Sequence, residues 1–283
     1  MDVVIAIAAG VLGVLVGGLI NVLADDLPRR QNPQQPHYPD GTPRPASAWL
    51  GITAFLTGER EAPEGALPPP DWNANSPLGD GGRPPSRRLG WRHPLVEIGL
   101  ALAYSAMVLG FRDEANLPIW MFYVALLLLI TIIDLEHRLI PFEVIVVGCA
   151  FALVVAAVSP EGGKPFLDFV IGGAVGFLVF YLMYAGGQLF MRVAGVEETA
   201  FGFGDVLLAT LSGLMLGWRS FIFAALITVF VGALGALLYI VARALSRSEY
   251  RMFTPLPYGP YIVIGTLVML LFREDVRAFL QGG

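Results

Sequence analysis

The sequence predicts an all-α membrane protein, a polytopic bundle of about eight transmembrane helices with one long Pro-rich cytoplasmic loop, and three observations predict it. Of its 283 residues 55% are hydrophobic and only 14% are charged, with a mean hydropathy of +0.66, whereas an ordinary soluble domain is about a quarter charged. The apolar residues fall in runs long enough, or nearly so, to cross about 30 Å of hydrocarbon at roughly 1.5 Å per residue. The one long polar segment, residues 28–94, holds 14 of the 21 prolines, a composition that resists regular helix or sheet.

The eight runs are residues 3–23, 94–111, 117–133, 140–158, 166–191, 206–218, 220–242 and 257–272. They divide the chain into a first transmembrane helix (1–23), the Pro-rich loop (24–93) and a seven-helix core (94–283). The first run resembles a signal peptide but lacks a basic leading region and leads into Asn21 and the acidic pair Asp25 and Asp26, so it is expected to be retained. Within the loop, residues 49–57 are apolar enough to lie on the membrane surface or against the bundle, and a short loop helix is an equal alternative. The sixth run reaches full length only if it begins beneath the surface or is extended by the Gly-rich segment before it. Small residues four apart at Gly13 and Gly17, Gly172 and Gly176, and Gly213 and Gly217 predict close helix approach. The single cysteine, Cys149, sits in an apolar run as a packing residue and builds neither a disulfide framework nor a cysteine zinc site.

A net charge of −5 says less than the placement of the positive residues. Alternate loops divide the 18 Lys and Arg residues 13 to 5, the larger share falling in the long loop, at Arg138, at Arg192 and in residues 243–251. That side is therefore expected to be cytoplasmic, with both termini outside.

Ionisable groups at membrane borders are costly and need a partner, a water-filled cavity or a task. Asp134 closes the third run, and Asp205 opens the sixth in Gly202-Phe203-Gly204-Asp205. Both are expected on the cytoplasmic side, on different helices, at similar depth. Two carboxyls held together do not both ionise cheaply, so the pair shares one proton and supplies an acid and a base. The ionised member can take a proton from an attacking water while the other polarises a peptide carbonyl. Glycines at 202 and 204 would let an extended backbone approach, and they would also fray the helix start. Plain structural readings stand beside this one: Asp134 and Arg138 are spaced as an interfacial ion pair, and Asp205 suits a helix N-terminus.

Taken in order, the motifs resemble those of the bacterial prepilin peptidases (type IV leader peptidases), membrane aspartyl proteases of the GxGD class. The likeness runs from Gly17-Gly18-Leu19-Ile20-Asn21-Val22 with Leu27-Pro28, through Pro94-Leu95-Val96-Glu97, to Asp134-Leu135-Glu136-His137-Arg138-Leu139-Ile140-Pro141. It continues in Glu198 with Gly202-Phe203-Gly204-Asp205 and in Pro257-Tyr258-Gly259-Pro260-Tyr261. The resemblance implies a multi-pass protein of the bacterial inner membrane with Asp134 and Asp205 catalytic. It implies removal of a short basic leader from type IV prepilin or pseudopilin precursors, with Gly202, Gly204, Glu198, Glu136, His137, Arg138 and Pro141 binding substrate or supporting the acids. Glu136, Glu198 and Asp25 or Asp26 would attract the leader. It also implies methylation of the new N-terminus with S-adenosylmethionine, an activity tied to the N-terminal region and here to Asn21 and Glu97.

The sequence departs from the family in three places. Its first loop has no Cys-x-x-Cys pair, so no zinc is expected, and no cofactor is required for proteolysis. Phe142 stands where the family commonly has Asp, and Leu207 where it commonly has Lys, which bears on substrate preference more than on hydrolysis. No nucleic acid is expected as a partner, and the sequence fixes no oligomeric state. Two rival readings are a proton-coupled transporter using interfacial carboxylates and an inactive scaffold for pilus or secretion assembly.

Overall fold

The computed structural model describes residues 2–29, 32–65, 86–112, 114–158, 165–194, 202–245 and 257–280. Among them, regular structure is helical apart from two isolated β-bridges, His37 with Pro43 and Glu61 with Arg88. Five helices are long and apolar enough to cross a membrane: Asp2–Arg29, Arg92–Gly110, Leu117–His137, Phe166–Val193 and Trp218–Val241. Three shorter apolar helices, Phe142–Val158, Phe203–Leu216 and Gly259–Leu271, fall on the three remaining predicted runs. The chain is an all-α polytopic membrane protein, folded as two compact units, Met1–Ile133 and Asp134–Gly283.

In the first unit, α1 (Asp2–Asp26) packs along α3 (Arg92–Gly110). A side chain added at Gly10, Gly13 or Gly17 would collide with Ser105, Ala101 and Glu97 respectively, so the glycines let the two backbones touch. Ser105 Oγ ties the seam by donating to the Ala6 carbonyl at 2.9 Å. The opposite face of α1 exposes Val3, Val4, Ile7, Val11, Leu15 and Leu19. In water that surface would be a liability, whereas in lipid it is the expected exterior. Helix α4 (Leu117–His137) follows, and Tyr104 Oη of α3 donates to its Met121 carbonyl at 2.9 Å.

The described residues of the Pro-rich loop include a small folded part. Tyr38, Ala48, Ala54, Ala62 and Leu89 form a small core, with Phe55 packed on it. The Tyr38 hydroxyl donates to the Glu59 carbonyl at 3.0 Å, and the Arg60 guanidinium lies 3.9 Å from the centre of the Phe55 ring. Residues 51–57 are the short loop helix α2 (Gly51–Thr57), which rests against α3.

In the second unit, α7 (Phe203–Leu216) is surrounded by α5 (Phe142–Val158), α6 (Phe166–Ala194), α8 (Trp218–Leu245) and α9 (Gly259–Leu271), and α10 (Arg273–Leu280) follows α9. Backbone contact between α6 and α7 is again made by small residues: Gly172 lies against Gly213, and Gly176 against Ala209. The predicted sixth span is corrected in two respects. The helix starts at Phe203 rather than at 206, and its first turn is capped instead of frayed. Its 14 residues rise only about 21 Å. A helix this short is tolerated because Val206, Leu208, Ala209 and Leu211 are fully covered by neighbouring helices, so its ends need not reach the lipid boundary.

Candidate active site

Asp134 lies in the last turn of α4 and is only 5% exposed. The helix stops at His137, one turn on, because Arg138 adopts a left-handed conformation (φ 52°) while its N–H donates to the Asp134 carbonyl at 2.8 Å. That conformation costs a non-glycine residue about 1–2 kcal/mol, and it turns the chain sharply toward Ile140 and the start of α5.

Asp205 stands in the first turn of α7 and is 8% exposed. Gly202 is the N-cap, with extended backbone (φ −88°, ψ 148°), and its N–H donates to Asp205 Oδ2 at 3.2 Å. The carboxylate thus reaches back over the open end of its own helix. Asp205 lies within Coulombic reach of Asp134.

A third element meets them. At the start of α9 the backbone N–H of Gly259 acts on the Asp134 carboxyl, and the Tyr258 phenol lies within Coulombic reach of Asp205. A side chain added at Gly259 would run into Asp134 Oδ2. That oxygen is buried, and no donor satisfies it in full hydrogen-bond geometry. Two buried carboxyls within electrostatic reach, one of them with an unsatisfied oxygen, are suited to holding one proton between them and passing it to a third group.

The remaining residues singled out in the sequence are dispersed. Gly204 packs on Ile140, where an added Cβ would come within 3.0 Å, so packing accounts for this glycine without a substrate. Pro141 is buried, and its carbonyl accepts from Ile145 N at 3.3 Å as α5 begins. Glu136 is exposed, His137 is half-buried 3.9 Å from it, and Arg138 is exposed. Glu198 lies outside the described residues. Gly259 lies against Asp134, Ile140 against Gly204, and Tyr258 within Coulombic reach of Asp205, although the sequence assigned them no role. Their signal was membership of two segments of the family likeness, Asp134-Leu135-Glu136-His137-Arg138-Leu139-Ile140-Pro141 and Pro257-Tyr258-Gly259-Pro260-Tyr261.

In the first unit, Asn21 and Glu97 do come together. Glu97 is wholly buried and accepts from Asn21 Nδ2 at 3.4 Å, from Gly51 N at 2.6 Å and from Ile52 N at 2.8 Å. It closes the N-terminus of α2, while Asn21 Nδ2 also donates to the His93 carbonyl at 3.0 Å. The acidic pair expected to meet a basic leader is engaged internally as well. Asp25 bonds Arg92 at 2.5 Å and His93 at 3.2 Å, and Asp26 accepts from Gln34 N at 2.8 Å and pairs with His37 at 2.8 Å. Among the described residues, no group of three or more His, Cys, Asp or Glu side chains is arranged to hold a metal ion.

The profile of the type IV leader peptidase family matches residues 121–237, a stretch that contains both Asp134 and Asp205. Over that stretch the chain is similar to the type IV leader peptidase family. Relatives named prepilin leader peptidase/N-methyltransferase repeat the likeness. The one from Pseudomonas aeruginosa is 29% identical over 95% of this chain and 91% of its own length. The one from Pseudomonas putida is 31% identical over 68% and 62%, and the one from Bacillus subtilis 26% identical over 68% and 71%. The chain spans about three fifths of the length of the Pseudomonas putida and Stutzerimonas stutzeri relatives it matches. No solved structure matches it.

Proposed function

We propose that the chain is an aspartyl endopeptidase of the bacterial inner membrane that removes the short basic leader from type IV prepilin or pseudopilin precursors, with Asp134 and Asp205 as its catalytic pair on the cytoplasmic side. The observation that carries this reading is a pair of buried carboxyls at the ends of separate helices, within Coulombic reach of one another, one with an unsatisfied oxygen. The ionised acid takes a proton from water as the water oxygen attacks the scissile carbonyl carbon. The protonated acid donates to the carbonyl oxygen, and collapse of the tetrahedral intermediate sends a proton to the leaving amine. No side-chain nucleophile is needed.

The cytoplasmic placement is supported by the excess of Lys and Arg in the long loop and the loops on its side. A basic leader held in the cytoplasm would present its cleavage site at that face. N-methyl transfer, part of the relatives' names, has no comparable geometric support, because Glu97 is committed to capping α2.

The test is incubation of the purified protein in detergent with a precursor carrying a basic leader and an apolar helix, the products sized and labelled methyl donor added in parallel. Cleavage at the leader junction by the parent, and none by Asp134→Asn or Asp205→Asn, is the expected result. An intact precursor would favour the transporter or the scaffold.

A further inference from the structure

The two acids stand on α4 and α7 within Coulombic reach, and the close approach to the Asp134 carboxyl comes from α9. A methyl group at Gly259 would occupy the space of Asp134 Oδ2 and crowd its Cγ, at 3.1 Å, and Cβ, at 3.6 Å. The Gly259 N–H acts on the same carboxyl, and the preceding residue, Tyr258, places its ring within reach of the charge on Asp205. Two consecutive residues thus face the two acids. Proline at 260 and the helix start fix the backbone there, since a proline in the first turn sets its own φ and needs no donor.

We propose that Gly259 is a positioning residue for the aspartate pair: by withholding a side chain and aiming its N–H at Asp134, it sets the orientation in which that carboxyl faces Asp205. The inference rests on the catalytic reading of the pair given above. It differs from a packing role in a way the structure makes testable, because the obstacle to a side chain at 259 is the free end of Asp134, which can swing aside. At Gly265, also on α9, an added side chain meets the Ala224 backbone carbonyl and Thr228, and the carbonyl cannot yield without moving α8.

Gly259→Ala and Gly265→Ala are therefore compared in precursor cleavage and thermal unfolding in detergent. For Gly259→Ala the expected result is a Tm near the parent's and a kcat lower by about 100-fold with little change in KM, the scale of loss when a reacting group is misplaced by an ångström. Its residual activity should also show a displaced pH profile, because a donor that holds a carboxyl affects its titration. Gly265→Ala should lower Tm while the folded fraction keeps the parent's kcat and pH profile. The inference is overturned if Gly259→Ala unfolds the protein, or if it matches Gly265→Ala in kcat and pH profile while the parent cleaves. A parent that leaves the precursor intact removes the reading of function and this inference with it.

Discussion

Buried carboxyl groups occur in both units, and they are treated in opposite ways. Glu97 is completely covered, and both its oxygens accept from donors at the N-terminus of α2, with Asn21 adding another contact. Asp26 is equally covered and equally supplied, by Gln34 and His37. Asp134 and Asp205 are nearly as deep, yet Asp134 Oδ2 has no donor in bonding geometry and Asp205 has the Gly202 N–H. Leaving a buried acceptor short costs free energy that a purely structural carboxyl would recover by bonding. Bonding thus separates the satisfied carboxyls of Glu97 and Asp26 from that of Asp134, as the proposed reaction requires.

The contrast is broken most forcefully at Asp134 and Asp205. Asp134→Asn or Asp205→Asn should reduce precursor cleavage by at least about a thousandfold, and the double substitution should cost little more, because groups acting as a unit are not additive. Rates from the three variants measure this, together with unchanged elution in size exclusion. At the fully bonded site the expected loss is in stability instead. Glu97→Ala leaves the Gly51 and Ile52 N–H groups without their acceptor, so local opening of α2 should become easier by about 2–4 kcal/mol, read from amide hydrogen exchange over residues 51–57.

A smaller effect sharpens the comparison through pH. Burial opposes a charge on His37, but its hydrogen bond with Asp26, the Tyr38 carbonyl and the charges of Asp25 and Asp26 prevail and raise the imidazole above its ordinary value of 6.5. A raised folded-state value means the stabilisation is complete below that ordinary value and is lost as pH climbs through the folded one. Exchange protection in residues 32–65, corrected for intrinsic rates, should therefore fall as pH rises above neutrality, and His37→Gln should flatten the dependence. The smallest effect is at the α7–α9 contact, where Thr266 Oγ1 donates to Ser212 Oγ at 2.8 Å. Thr266→Val should cost about 1 kcal/mol, seen as a modest fall in Tm.

The membrane helices were legible because an apolar run of the right length leaves the backbone few alternatives. Their ends were less so: α1 continues to Asp26 and α3 begins at Arg92, since the polar residues there bond one another and need not lie outside a helix. The start of α7 was missed by three residues because hydropathy does not register that Asp205 can cap its own helix. The loop's core was invisible because Tyr38, Ala48, Ala54, Ala62 and Leu89 are scattered along the segment with no period. Asp134 and Asp205 stood out from position alone, as acids at membrane borders. Gly259 did not, because a glycine signals only that a side chain is missing, and what would occupy the space is known only once α9 lies beside Asp134.

The most direct test of the shared proton is the pH dependence of kcat/KM for leader cleavage by the parent protein. One acid that must be ionised and one that must be protonated give a bell-shaped profile with two limbs, both belonging to the pair. A profile with one limb, or a rate that does not change with pH over the range where the protein stays folded, would contradict the account of Asp134 and Asp205 as a catalytic pair.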